Sequence, residues 1–213
     1  MRLFLSSYRF GAHQERLLQL LGDRPRSAAV IANAADAWPP SARASAVVSD
    51  LTPLRRLGFT AREVDLRDYV DHADRLAATL ADHSLVWVRG GNSFVLRAQF
   101  ARSGADSVLP DLLSRDVLAY AGYSAGACVL TPSLRGLETL DDPGEVLPTC
   151  GVDPIWDGLG LVHKPIVPHW RSPMSDSDEI DVVVADFRSR GVDIWALTDE
   201  QAVVVDGESI VVH

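Results

Sequence analysis

The stretch Val117-Leu118-Ala119-Tyr120-Ala121-Gly122-Tyr123-Ser124-Ala125-Gly126-Ala127 changes character halfway along. Its first five residues are apolar and read as a buried strand over 117–121. Gly122-Tyr123-Ser124-Ala125-Gly126 then matches the pattern G-x-S-x-G, and 125–130 reads as the opening of a helix. In that context the pentapeptide is a nucleophile elbow, a serine on a tight turn from strand to helix. Gly122 and Gly126 let strand and helix approach, and Ala125 offers a backbone N–H where an oxyanion is stabilised. The same small residues would serve a plain tight turn, so Ser124 gains weight only from its surroundings.

Upstream, 85–88 is a second fully apolar strand, and it runs into Arg89-Gly90-Gly91-Asn92. Helices are expected over 93–102 and 108–113. Nearer the start, strands are expected at 2–6, 27–33 and 60–66, with helices at 14–21, 41–57 and 69–81. Pro53 should kink or split the second of these helices. Downstream, 134–152 is rich in Gly, Pro and Asp and reads as a long loop. A strand at 166–170, an acidic helix at 176–188 and strands at 194–197 and 202–205 follow. Asp206-Gly207 then turns into a last strand at 209–212. Strands alternating with helices of these lengths argue for an α/β fold, a mostly parallel sheet with helices on both faces. Such sheets bind ligands beyond the carboxyl ends of their strands, where both glycine-rich turns fall.

Length and composition set the class. The chain has 213 residues, 47% hydrophobic and 23% charged, which suits a single domain over 1–213. The formal charge is −9, so neither a nucleic-acid backbone nor an anionic membrane is an expected partner. No apolar run approaches the ~18 residues of a membrane span. The opening apolar stretch is too short for a signal peptide. Cys128 and Cys150 make neither a disulfide framework nor a zinc site. A cytoplasmic protein with reduced cysteines, no metal and no cofactor is expected.

A serine nucleophile needs a base. Of the six histidines, His13, His72 and His83 lie in polar stretches and are expected to be solvated, while His163 neighbours Lys164 and His213 ends the chain. His169 follows Ile166-Val167-Pro168 at the end of an apolar strand, the kind of fixed position a general base requires. An acid must orient that histidine, and Asp199 and Glu200 both fit, between two apolar strands. The alternative order Ser124, Asp199, His213 would place the base on a terminal residue prone to fraying. Gly91 N–H, from the neighbouring strand end, is the candidate second oxyanion donor beside Ala125 N–H.

Gly90-Gly91-Asn92, Gly122-Tyr123-Ser124-Ala125-Gly126-Ala127, Pro168-His169 and the segment Thr198 to Ala202 together resemble the serine peptidase family of peptidase E (alpha-aspartyl dipeptidase) and cyanophycinase. The resemblance covers most of the chain. It implies a class I glutamine-amidotransferase-like (flavodoxin-like) three-layer sandwich. It implies Ser124 as nucleophile, His169 as base, Gly91 and Ala125 as oxyanion hole, and hydrolysis of short peptides without a cofactor. The third member falls on Asp199 where the family carries glutamate, with Glu200 as the alternative acid. The family's arginines after the catalytic histidine have no counterpart in 175–185, which carries Asp176, Asp178, Glu179 and Asp181 instead. Arg171, Arg89 and Asn92 are therefore the substrate-binding candidates, and an N-terminal aspartyl preference would rest on them. A monomer or homodimer acting on a small peptide is expected. The alternative is a ligand-binding or pseudoenzyme member of the same fold; Cys128, one helical turn beyond Ser124, makes a thiol glutaminase the poorer reading.

Overall fold

Apolar runs bounded by turn residues become the strands of a seven-stranded sheet in the computed structural model, which describes residues 1–173 and 177–213. The elements in chain order are β1 (Arg2–Ser6), α1 (Gln14–Leu21), β2 (Ser27–Ile31), α2 (Pro40–Arg56), β3 (Thr60–Glu63), α3 (Ala73–Ala81), β4 (Leu85–Val88), α4 (Ser93–Ser103), α5 (Ala105–Ser114), β5 (Ala119–Tyr123), α6 (Ala125–Cys128), α7 (Val146–Cys150), β6 (Ile166–Val167), α8 (Ser177–Ser189), β7 (Trp195–Ala196), β8 (Ala202–Asp206) and β9 (Ser209–Val212). The sheet order is β3-β2-β4-β5-β1-β8-β9, and β6 pairs with β7 separately. The five strands from β3 to β1 run parallel, whereas β8 is antiparallel to β1 and forms a hairpin with β9.

The side-chain period of two divides each central strand between two cores. Phe4, Val30, Trp87 and Ala121 face one way and meet Leu17, Leu20 and Leu21 of α1 and Leu54 of α2. Leu3, Leu5, Ile31, Val86, Val88 and Tyr120 face the other way and meet α3, α4, α5 and α8. Helices thus cover both faces, as the alternation in sequence predicts. No helix among the described residues is long and apolar enough to cross a membrane.

Several expectations need correction. Pro53 does not split α2, which runs unbroken from Pro40 to Arg56. Proline lacks the N–H that would bond the Ser49 carbonyl, and the Arg9 guanidinium takes that carbonyl instead at 3.0 Å. The stretch 134–152 is not all loop: it carries a 3₁₀ turn over Pro143–Glu145 and the short helix α7. The strands at 27–33, 60–66 and 166–170 are shorter than expected, and β5 starts and ends two residues later than the apolar run. His83 is buried, with its Nε2 accepting from Arg62 Nε, and burial lowers its pKa. The expected helix start at Asp176 lies outside the described residues.

Candidate active site

Four chain segments converge at one edge of the sheet. Val88 of β4 is in register with Gly122 of β5, so the turns after these strands lie side by side, as expected. A Cβ on Gly90 would stand 2.8 Å from the Ser124 Cβ, which shows how near the glycine pair comes to the serine. Ser6 ends β1 alongside Tyr123, and its carbonyl accepts the Ser124 N–H at 3.1 Å. Because β8 is antiparallel, its beginning, not its end, reaches this edge, and Asp199 lies there.

Ser124 has φ 52° and ψ −120°, a conformation that L-residues rarely adopt. Strain of this kind costs roughly 1–3 kcal/mol and persists only where the surroundings over-determine it. Here the surroundings are the Ser6 bond behind the serine and α6 in front, whose Ala127 and Cys128 N–H groups bond the Ser124 carbonyl. Gly126 makes the turn possible: a Cβ there would collide with the Val88 carbonyl.

His169 Nε2 lies 3.1 Å from Ser124 Oγ, and His169 Nδ1 lies 2.7 Å from Asp199 Oδ1. Asp199 cannot donate when ionised, so Nδ1 carries the proton and Nε2 is left to accept from the Ser124 hydroxyl. His169 is held by its backbone as well. Its φ is 61°, its N–H donates to Ser7 Oγ at 2.7 Å, and the next residue's N–H donates to the Leu197 carbonyl just beyond the β6–β7 pairing. Asp199 accepts further from Ser7 Oγ at 3.1 Å and from Ser172 Oγ. Burial works against its charge, yet the bonds from Ser172, His169 and Ser7 outweigh it and hold the carboxyl below the usual aspartate value.

Ser7 and Ser172 went unmarked in the sequence. Ser7 is fully buried just beyond an apolar strand, and that placement was its only signal. Glu200 is exposed and its carboxylate accepts from the Thr198 hydroxyl, so the structure brings Asp199, not Glu200, to the imidazole. The His213 ring packs on His13 instead.

A cavity of about 320 Å³ opens in front of Ser124, bordered by Gly91, Asp141, His169, Glu179 and the apolar side chains of Leu137, Leu140 and Ile180. Gly91 has φ 149°, and a Cβ there would strike the Ala34 carbonyl. Ala125 is the first residue of α6, where an N–H has no intrahelical partner. Gly91 lines the cavity, and Ala125 directly follows Ser124 in the chain. Cys128 also borders it, but its Sγ points to the Ile166 carbonyl at 3.4 Å and burial pushes the thiol well up, away from thiolate. Among the described residues, no three His, Cys, Asp or Glu side chains are arranged to hold a metal ion.

The substrate-binding candidates fare differently. Arg89 does not border the cavity: its guanidinium is buried against Asp50 at 2.9 Å and bonds the Ala46 and Gly90 carbonyls. Asn92 is spent on structure, capping α4 through Phe94 and Val95 N–H and donating to Glu145 and the Asp142 carbonyl. Arg171 is exposed, with its guanidinium over the Trp170 ring at 4.3 Å. Asp141, which no local pattern in 134–152 singled out, borders the cavity instead. Its Oδ2 accepts from Ser93 N–H at 2.9 Å and from Ser93 Oγ.

Residues 7–213 match the model of peptidase family S51. An uncharacterized peptidase of Listeria innocua is 27% identical over 159 residues, which is 74% of this chain and 71% of that protein. Peptidase E of Streptomyces coelicolor is 37% identical over 110 residues, 52% of this chain and 41% of that one. In fold, a candidate peptidase E protein from Listeria monocytogenes superposes with a TM-score of 0.78 at 20% identity, covering 100% of this chain and 97% of that one. A doubly covered, mostly parallel sheet with a serine elbow at its carboxyl edge is the flavodoxin-like, class I glutaminase-like scaffold, and on it the chain belongs to peptidase family S51, the serine-type peptidases.

Proposed function

We propose that this protein hydrolyses short peptides through Ser124, His169 and Asp199. The observation that carries the reading is the unbroken hydrogen-bond chain from Ser124 Oγ through His169 to Asp199 beside the cavity. His169 Nε2 takes the hydroxyl proton as Ser124 Oγ bonds to the scissile carbonyl carbon. The resulting oxyanion is met by the N–H groups of Gly91 and Ala125. His169 then gives its proton to the leaving amine as the C–N bond breaks. Water enters, loses a proton to Nε2 and releases the acid, returning Ser124 to its hydroxyl form. Asp199 stabilises the imidazolium formed in both halves and keeps Nδ1 protonated.

The expected outcome for Ser124→Ala is a fall in turnover on the order of 10⁴-fold or more, with folding intact. A dipeptide-library assay on both proteins checks this. Labelling by a fluorophosphonate, located by peptide mass spectrometry, should fall on Ser124 and vanish in Ser124→Ala. Near-wild-type turnover in the variant, or a label elsewhere, would sink the serine mechanism.

A further inference from the structure

The cavity before Ser124 holds carboxylates where an acidic substrate would need a cation. Asp141 and Glu179 both border it, and among the described residues no arginine or lysine does. Asp141 is gripped from behind by Ser93 at Oδ2, and no donor among the described residues reaches its Oδ1. Burial pushes its pKa up to about 6, with the Ser93 bonds and the His169 charge acting the other way, so at neutral pH it is ionised. The two arginines singled out in the sequence do not reverse the sign: Arg89 is neutralised by Asp50 outside the cavity, and Arg171 lies on Trp170. Leu137, Leu140 and Ile180 give the cavity an apolar wall. A ligand that matches these features carries two positive charges joined by a hydrocarbon stem.

We propose that the pocket selects peptides with a basic N-terminal residue, Asp141 binding the free α-ammonium and Glu179 the lysyl or arginyl head. The stem of that side chain packs on Leu137, Leu140 and Ile180. An N-terminal aspartate would bring a third carboxylate into the same space and is disfavoured. This selectivity rests on Ser124 being the nucleophile of the cavity, as argued above.

Binding separates the two readings. Calorimetry on Ser124→Ala with Lys-Leu, Asp-Leu and N-acetyl-Lys-Leu measures the pocket without turnover. Lys-Leu should bind about 10-fold or more tighter than Asp-Leu, and acetylation should cost about as much. Adding Glu179→Gln, a change on an exposed position of α8, should shrink the Lys-over-Asp ratio several-fold. Adding Asp141→Asn should erase the penalty for acetylation. Equal or tighter binding of Asp-Leu, indifference to acetylation, or no binding by any of the three peptides overturns the selectivity. If Ser124 is still labelled by a fluorophosphonate in the wild type, the serine mechanism survives that failure. A basic preference without labelling would overturn the mechanism and leave the pocket assignment standing.

Discussion

Ser124 and His169 both occupy positive-φ conformations, at 52° and 61°, and both are pinned by bonds to the end of β1. Ser7 ties His169 to Asp199: its hydroxyl accepts the His169 N–H and donates to the carboxylate. Its role was invisible in the sequence because both partners lie more than 160 residues away. The choice between Asp199 and Glu200 was likewise open in the sequence, where both stand in one turn. The 2.7 Å contact with Nδ1 selects Asp199. Asp199→Asn should therefore lower kcat by about 10³- to 10⁴-fold, since an amide can hold the wrong tautomer. Glu200→Gln should leave kcat close to the wild-type value. Steady-state kinetics on both variants checks the assignment, and a larger loss in Glu200→Gln would reverse it.

At the level of elements, α6 is too short to hold itself in place and depends on contact with β4 and β5. Tyr120 OH donates to the Gly126 carbonyl at 2.6 Å, fastening the helix to the strand it leaves. Gly126 lies where a Cβ would meet the Val88 carbonyl, a backbone atom that cannot swing aside. Gly126→Ala should cost roughly 1–3 kcal/mol of stability, as overpacking does. It should also lower activity beyond the loss of folded protein, because relief of the clash displaces Ser124. Urea unfolding together with active-site titration measures both, and a variant unchanged in each would show that α6 tolerates the shift. The same scale explains why α2 is not split at Pro53. A proline in the last turns of α2 costs little when an arginine from another segment takes the carbonyl it leaves unpaired.

For the whole molecule, buried carboxylates set opposite pH dependences. Asp65 is partly buried, yet bonds from Arg67 and Asn33 and the charge of Arg43 hold it at about 2. That lies below the ~3.9 of an unfolded aspartate, so its contribution is present above pH ~4 and is lost as pH falls towards 2. Asp199 is lowered too and acts with the same sign. Asp141 acts the other way. Its folded value of about 6 exceeds the unfolded one, so the folded state holds the proton more tightly, and stability falls as pH rises from ~4 to ~6. Asp141→Asn should remove that loss. Its melting temperature relative to the wild type should rise between pH 4.5 and 7, by the equivalent of at most about 3 kcal/mol. Thermal melts across that range check it, and a difference flat with pH would contradict the assignment.

The apolar run before Gly122, the glycine pair after Val88 and the leucines of α1 are local patterns, and local patterns carried the strands, the two covered faces and the serine elbow. Side-chain period and backbone permissiveness act over a few residues, so one chain shows them directly. Which acid meets His169, that Arg89 turns inward to Asp50, and that Asp141 rather than an arginine borders the cavity were decided only in three dimensions. Each depends on how segments far apart in sequence are brought together. An antiparallel β8 carries Asp199 to the edge where the parallel strands end, and a 17-residue α2 presents Asp50 beneath the turn that holds Arg89. The sequence alone determined what chemistry was available; the docking of remote segments decided which groups stand at the serine, because charge and hydrogen bonding act on distances that only the folded chain defines.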